Sequence, residues 1–155
     1  MWPFKKKNIE ILAPCDGEIV SLDKVEDDVF REKMMGDGFA IIPSSNDFFA
    51  PIAGKLMTVF PTKHAYGIQT KQGVELLIHI GLDTVTLKGV GFDSVVEQDQ
   101  MIKANEKLVT VDLKKIAKKV PSITTPIVFT NPMEKSIEIV KFGKVKQGEV
   151  VAILK

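Results

Sequence analysis

The chain of 155 residues contains a single cysteine, Cys15, and a single arginine, Arg31. One thiol excludes an internal disulfide and fits a reducing compartment. Cys15 follows a proline in a turn-like stretch, and nothing around it points to an activated thiolate, so it reads as structural. One guanidinium excludes an arginine cluster of the kind that clamps phosphate through paired hydrogen bonds. There is no Gly-rich Walker loop, hence no sign of ATP binding. The 21 basic and 20 acidic residues leave a net charge of +1, too balanced for the basic stripe of a nucleic-acid binder. No apolar run approaches the roughly 18–20 residues of a membrane span. The opening Met1-Trp2-Pro3-Phe4-Lys5-Lys6-Lys7 lacks the apolar stretch of a signal peptide. Residues 1–8 read as a flexible, solvated segment rather than a membrane contact. The initiator methionine and short length carry the expectation of a free protein, and its compartment is expected to be the cytoplasm.

What is present suits one domain with a real core, over residues 9–155. Short apolar runs recur between Gly, Pro, Asn and Asp: 9–12, 18–22, 39–42, 55–60, 73–80, 107–111, 127–130 and 149–154. Runs of this length with regular turn signals predict an all-β antiparallel sandwich or barrel. One segment predicts a helix over 113–120. Asp112 can cap it, Leu113, Ile116, Ala117 and Val120 share a face, and Pro121 stops it. Lys114, Lys115, Lys118 and Lys119 then form a solvated outer face. A second helical turn is expected within Phe30–Met35. Two stretches repeat. Ala13-Pro14-Cys15-Asp16-Gly17 resembles residues 50–54, and 102–109 resembles 145–152, with Asn105 and Gly148 in one slot. Both tolerate a left-handed turn, so two related β units are expected to pack together.

The two histidines, His64 and His79, flank a hairpin whose turn is Thr70-Lys71-Gln72-Gly73. With Lys71 and Gln72 as a two-residue loop, His64 and His79 would lie directly opposite, with Cβ atoms roughly 4.5–5.5 Å apart. A loop one residue different would put them on opposite faces. Val74, Leu76, Ile78 and Ile80 share one face, which should be the core side, while Glu75, Leu77 and His79 share the other. Neutral imidazole keeps a free lone pair near pH 7. One ring nitrogen can attack phosphorus while the other is held as N–H by an acceptor. The absence of phosphate clamps and nucleotide loops fits a relay better than a kinase or phosphatase.

Residues 73–85, Gly-Val-Glu-Leu-Leu-Ile-His-Ile-Gly-Leu-Asp-Thr-Val, closely resemble the signature of glucose-type enzyme IIA domains. These belong to the bacterial phosphoenolpyruvate:sugar phosphotransferase system. Ile11-Leu12-Ala13-Pro14, Gly17-Glu18-Ile19-Val20, Gly36-Asp37-Gly38, Thr62-Lys63-His64-Ala65 and Leu87-Lys88-Gly89 extend the likeness across about residues 9–155. The resemblance implies an antiparallel β-sandwich of duplicated hybrid motifs with one or two short helices. It implies that His79 is phosphorylated at Nε2, that His64 is its phosphoryl-stabilising partner, and that Thr62 supports His64. The donor would be phospho-HPr, and the acceptor a cysteine on the IIB domain of a glucose-family permease. Phe30, Met34, Met35, Phe60 and Leu77 fall where the family has an exposed apolar docking patch, and Asp27 and Asp83 where acidic residues meet the donor's arginine. A monomer without cofactor or metal is expected.

Other chemistries fit less well. A zinc hydrolase of this fold type needs three protein ligands and a water, and two histidines supply only two. A lipoyl- or biotinyl-type carrier needs an exposed lysine in a Met-Lys or Asp-Lys-Ala setting, which is not evident. A regulatory module would be compatible with the phosphocarrier role, since phosphorylation adds about −2 charges and can switch partners.

Overall fold

In the computed structural model, which describes residues 8–155, the apolar runs become strands. They are β1 (Ile9–Leu12), β2 (Gly17–Val20), β3 (Asp37–Pro43), β4 (Asp47–Phe49), β5 (Gly54–Val59), β6 (Ala65–Gln69) and β7 (Glu75–His79), followed by β8 (Phe92–Ser94), β9 (Met101–Ile102), β10 (Lys107–Val111), β11 (Thr125–Asn131), β12 (Ile137–Ile139), β13 (Gly143–Val145) and β14 (Val150–Leu154). Two helical turns, α1 (Asp28–Arg31) and α2 (Leu113–Ile116), and two 3₁₀ turns, Leu22–Lys24 and Thr84–Leu87, complete the described residues. Of the N-terminal segment expected to be flexible, residues 1–7 lie outside the described part.

The pairing is antiparallel throughout the named ladders. An eight-stranded sheet runs β13-β2-β3-β11-β7-β6-β5-β9, and two three-stranded sheets run β1-β14-β12 and β4-β10-β8. The fold is the expected β-sandwich. Its two repeats bond to each other reciprocally: Leu12 N–H donates to Pro51 O at 3.0 Å, and Phe49 N–H, 37 positions on, donates to Pro14 O at 2.8 Å. The second pair of repeats docks in matching fashion, through Ala13 N–H to Glu149 O and Ala50 N–H to Glu106 O, both 2.8 Å. Asn105 (φ 68°) and Gly148 (φ 90°) are both left-handed, as their shared slot predicts. Gly17 and Gly54 open equivalent strands, where a Cβ would lie 2.3 Å from the carbonyl oxygens of Ile42 and Gln69. Only glycine allows that approach of one strand to the next.

Strand alternation divides the large sheet into two faces. Phe39, Ile41, Leu76, Ile78, Ile127 and Phe129 point inward, into one core shared with the two smaller sheets. Their neighbours Ala40, Leu77 and Val128 point outward and join Leu22, Val25, Phe30, Ala65 and Leu82 in a second, smaller cluster. The segment carrying α1 thus lies over the outer face. Asp27 starts α1 by accepting hydrogen bonds from Val29 N (2.9 Å) and Phe30 N (3.4 Å).

Three sequence expectations about the fold need correction. The helical turn expected within Phe30–Met35 lies earlier, at Asp28–Arg31, because Asp27 caps it there. The helix predicted over 113–120 is a single turn, Leu113–Ile116, capped by the Asp112 carboxylate on Lys115 N. Leu113 and Ile116 are buried while Ala117 is exposed and Val120 only half-buried, so its apolar stripe is too short to sustain more turns. The hairpin register also differs. Ala65, not His64, pairs with His79. Gly73 N–H bonds Thr70 O, and Gly73 itself is left-handed (φ 100°). The loop is therefore three residues, a turn followed by a glycine bulge, rather than two.

Candidate active site

His79 ends β7 on the outer face, two residues beyond Leu77, as alternation requires. His64 reaches the same place by another route. It lies between β6 and the turn Phe60-Pro61-Thr62-Lys63, which is closed by Lys63 N–H to Phe60 O at 2.7 Å. Proline suits the second position of such a turn, and Lys63 is left-handed at φ 60°. Outside the strand, His64 escapes strict alternation. The corrected register therefore does not separate the histidines. Their ring centroids are 4.9 Å apart at an interplanar angle of 81°.

Two phenylalanines extend this pair into a row of four rings. Phe30 lies 5.0 Å from His79, and Phe60 lies 5.4 Å from His64, edge to face. Such tilted contacts suit the charge distribution of aromatic rings and fix both imidazoles from their outer sides.

Each histidine has one nitrogen held. Nδ1 of His79 is 2.8 Å from Gly81 O. A carbonyl can only accept, so Nδ1 carries the proton and Nε2 keeps its lone pair. Nδ1 of His64 is 2.6 Å from the Thr62 hydroxyl. When that hydroxyl donates, His64 presents N–H at Nε2. Both rings are held neutral. Burial pushes His64 down to about 4, and the nearby His79 adds to the shift. Burial also lowers His79, against the Gly81 hydrogen bond and the negative charges of Asp27 and Asp83, which favour the proton.

The residues expected to form one exposed docking patch separate into two groups. Met34 is 71% exposed, Met35 is 41% exposed, and Phe60 is half-buried at the rim. Phe30 and Leu77 are not exposed: they are 5% and 7% accessible and pack together in the outer cluster. Phe30 is on the buried side of α1, in one cluster with Leu77 and with its ring 5.0 Å from that of His79. Val29 and Val85, 41% and 53% exposed, are apolar surface residues that sequence reasoning missed. Beside the rings, Met35, Met57, Phe60, Gly67 and Leu77 help line an open recess of about 190 Å³. Asp27 is occupied as the cap of α1, and Asp83 is exposed in a left-handed turn. The Gly81 carbonyl was also missed. The Gly between two apolar residues in the 79–82 run was the available signal.

Fold and site together define a class: an all-β protein of duplicated units, with a neutral, paired-histidine centre on the outer face of its larger sheet. A family model described as "phosphoenolpyruvate-dependent sugar phosphotransferase system, EIIA 1" matches residues 9–135. A "PTS system glucose-specific EIIA component" from Mycoplasma capricolum subsp. capricolum is 68% identical over 155 residues, covering all of both chains. A solved structure titled glucose permease IIA from Mycoplasma capricolum superposes with a TM-score of 0.96 over the full length of both chains, at 68% identity. A "PTS system glucose-specific EIICBA component" from Staphylococcus carnosus is 47% identical over 145 residues, 94% of this chain but 22% of that longer protein. The chain belongs to the EIIA family of the phosphoenolpyruvate-dependent sugar phosphotransferase system.

Proposed function

We propose that this protein is a cytoplasmic, monomeric phosphocarrier, with residues 9–155 acting as one domain. It takes a phosphoryl group from phospho-HPr on His79 and gives it to a cysteine on the IIB domain of a glucose-family permease. The observation that carries the reading is the 2.8 Å contact of His79 Nδ1 with Gly81 O, which leaves Nε2 as a nucleophile beside a second neutral histidine.

Nε2 attacks phosphorus, the donor's N–P bond breaks, and the donor imidazole leaves with its electron pair. The new P–Nε2 bond draws electron density from the ring, so the Nδ1 proton becomes more acidic and its bond to the Gly81 carbonyl strengthens. His64 donates from Nε2–H to a phosphoryl oxygen, with Thr62 donating to its other nitrogen. The arriving negative charge favours the proton on His64, opposing the effect of burial. In the second step a thiolate attacks phosphorus and the P–Nε2 bond breaks. Met34, Met35 and Phe60 serve both partners in turn as an apolar contact, and Asp27 and Asp83 attract a cationic donor. The fused EIICBA architecture of the Staphylococcus carnosus relative supports a permease as the acceptor.

Incubation with phosphoenolpyruvate, enzyme I and HPr, followed by mapping of the modified residue, tests the reading. Acid-labile phosphate on His79 is expected. Labelling at any other residue, or none, refutes it.

A further inference from the structure

Thr84 lies five residues past His79, fully buried and polar. Its hydroxyl donates to the Ile80 carbonyl at 2.7 Å, which satisfies a group that would be costly to bury unpaired. Its methyl fills the space beside Gly81, where a Cβ would come within 2.6 Å of Cγ2. Gly81 is left-handed, at φ 75°. One peptide further on, Leu82 N–H donates to Ser122 O at 2.9 Å.

These contacts bear on a single carbonyl. Gly81 C=O and Leu82 N–H belong to the same planar peptide unit, so the bond to Ser122 sets the plane from one end. Thr84 holds the preceding peptide through Ile80 O and packs against the Gly81 Cα between the two. The result aims Gly81 O at His79 Nδ1. Geometry points to Thr84 as a positioning residue for the nucleophile: through the Ile80–Gly81 turn it keeps the Nδ1–H tautomer of His79 and frees Nε2. We propose this role on the basis of the reading of His79 as the phosphoryl acceptor.

The test uses ¹⁵N-labelled protein, reading the His79 tautomer by long-range proton–nitrogen correlation, alongside the rate of labelling by phospho-HPr. Wild type should show proton at Nδ1. Thr84→Val keeps the packing but loses the hydroxyl. It should shift His79 to a mixture of tautomers and slow labelling by roughly tenfold or more, as expected for a misaligned reacting group. Thr84→Ser keeps the hydroxyl and should retain both the wild-type signature and most of the rate. A folded Thr84→Val protein with the wild-type tautomer and rate overturns the assignment. Should that variant not fold, Thr84→Ala, which loses both the hydroxyl and the methyl, is read against Thr84→Ser: a folded alanine variant with the wild-type tautomer overturns the role, and a mixed tautomer in alanine but not in serine upholds it. The two readings fail separately. A tautomer shift without any phosphate on His79 in wild type refutes the phosphocarrier reading alone, whereas normal labelling with an unmoved tautomer in Thr84→Val refutes the role of Thr84 alone.

Discussion

The two faces of the eight-stranded sheet are made by the same strands and do different work. Inward, Phe39, Ile41, Leu76, Ile78, Ile127 and Phe129 belong to a continuous apolar core. Outward, Ala40, Ala65, Leu77 and Val128 support a small cluster roofed by Leu22, Val25 and Phe30, and its edge carries both histidines. The inner face holds large side chains packed against the two smaller sheets. The outer face carries a smaller cluster under one short covering segment, which leaves room for chemistry. Adjacent residues such as Leu77 and Ile78 therefore answer to different demands.

The sharpest break between the faces is His79→Ala. Labelling from phosphoenolpyruvate through enzyme I and HPr should vanish while the thermal midpoint stays near that of the parent, and surviving label would remove His79 from the reaction. Next in size is His64→Gln. It should still accept phosphate from HPr but pass it to IIB roughly a hundredfold more slowly, the scale of a lost proton-bearing group. Equal rates in both half-reactions would exclude His64.

Truncation compares the faces directly. Ile78→Ala should cost about 4 kcal/mol because it opens a cavity in the main core, and Leu77→Ala about 2 kcal/mol because the recess beside it can readjust. Urea melts that rank them the other way would contradict the division of labour.

Acid should act through the outer face. Folded His64 has a pKa of about 4 against an ordinary 6.5, so between those values the unfolded chain binds the proton more readily. Stability is thus intact above about pH 6.5 and falls as pH drops toward 4, by up to roughly 3 kcal/mol. His79, also lowered, adds a loss of the same sign. His64→Gln should flatten much of this slope in a pH series of denaturant melts, and an unchanged slope would place its origin elsewhere.

The smallest effect is expected at Met34. It is 71% exposed, so Met34→Glu should leave stability within about 0.5 kcal/mol and slow both transfer steps several-fold. Phe30, the centre of the patch as read from the sequence, cannot serve in this test, because a charge there would enter the buried cluster against His79. Normal rates in Met34→Glu would move docking away from α1.

Much of the fold was legible because the signals are local. The period-two pattern of 74–80 marked the core face, and β1 and β10 coincide with their apolar runs. The reciprocal turn units showed in the repeated Ala-Pro and Lys-x-x-Glu segments. The strands β4, β8, β12 and β13 were not foreseen. Each has only three residues, too few for a periodic pattern, and they form where neighbouring strands offer open hydrogen-bonding edges.

The candidate site divides along the same line. By itself the sequence determined which residue types were available: two histidines, a threonine two positions before one of them, and a glycine two positions after the other. It also determined the face of His79, since alternation within a strand is a local property. Only the tertiary structure decided the meeting of the rings. A glycine bulge shifted the hairpin register, and a left-handed Lys63 turn brought His64 to His79 from outside the strand. Burial of Phe30 and Leu77 was likewise a tertiary outcome. An apolar side chain reads the same in sequence whether it faces water or a covering segment, and only the fold of residues 22–31 over the sheet distinguishes the two.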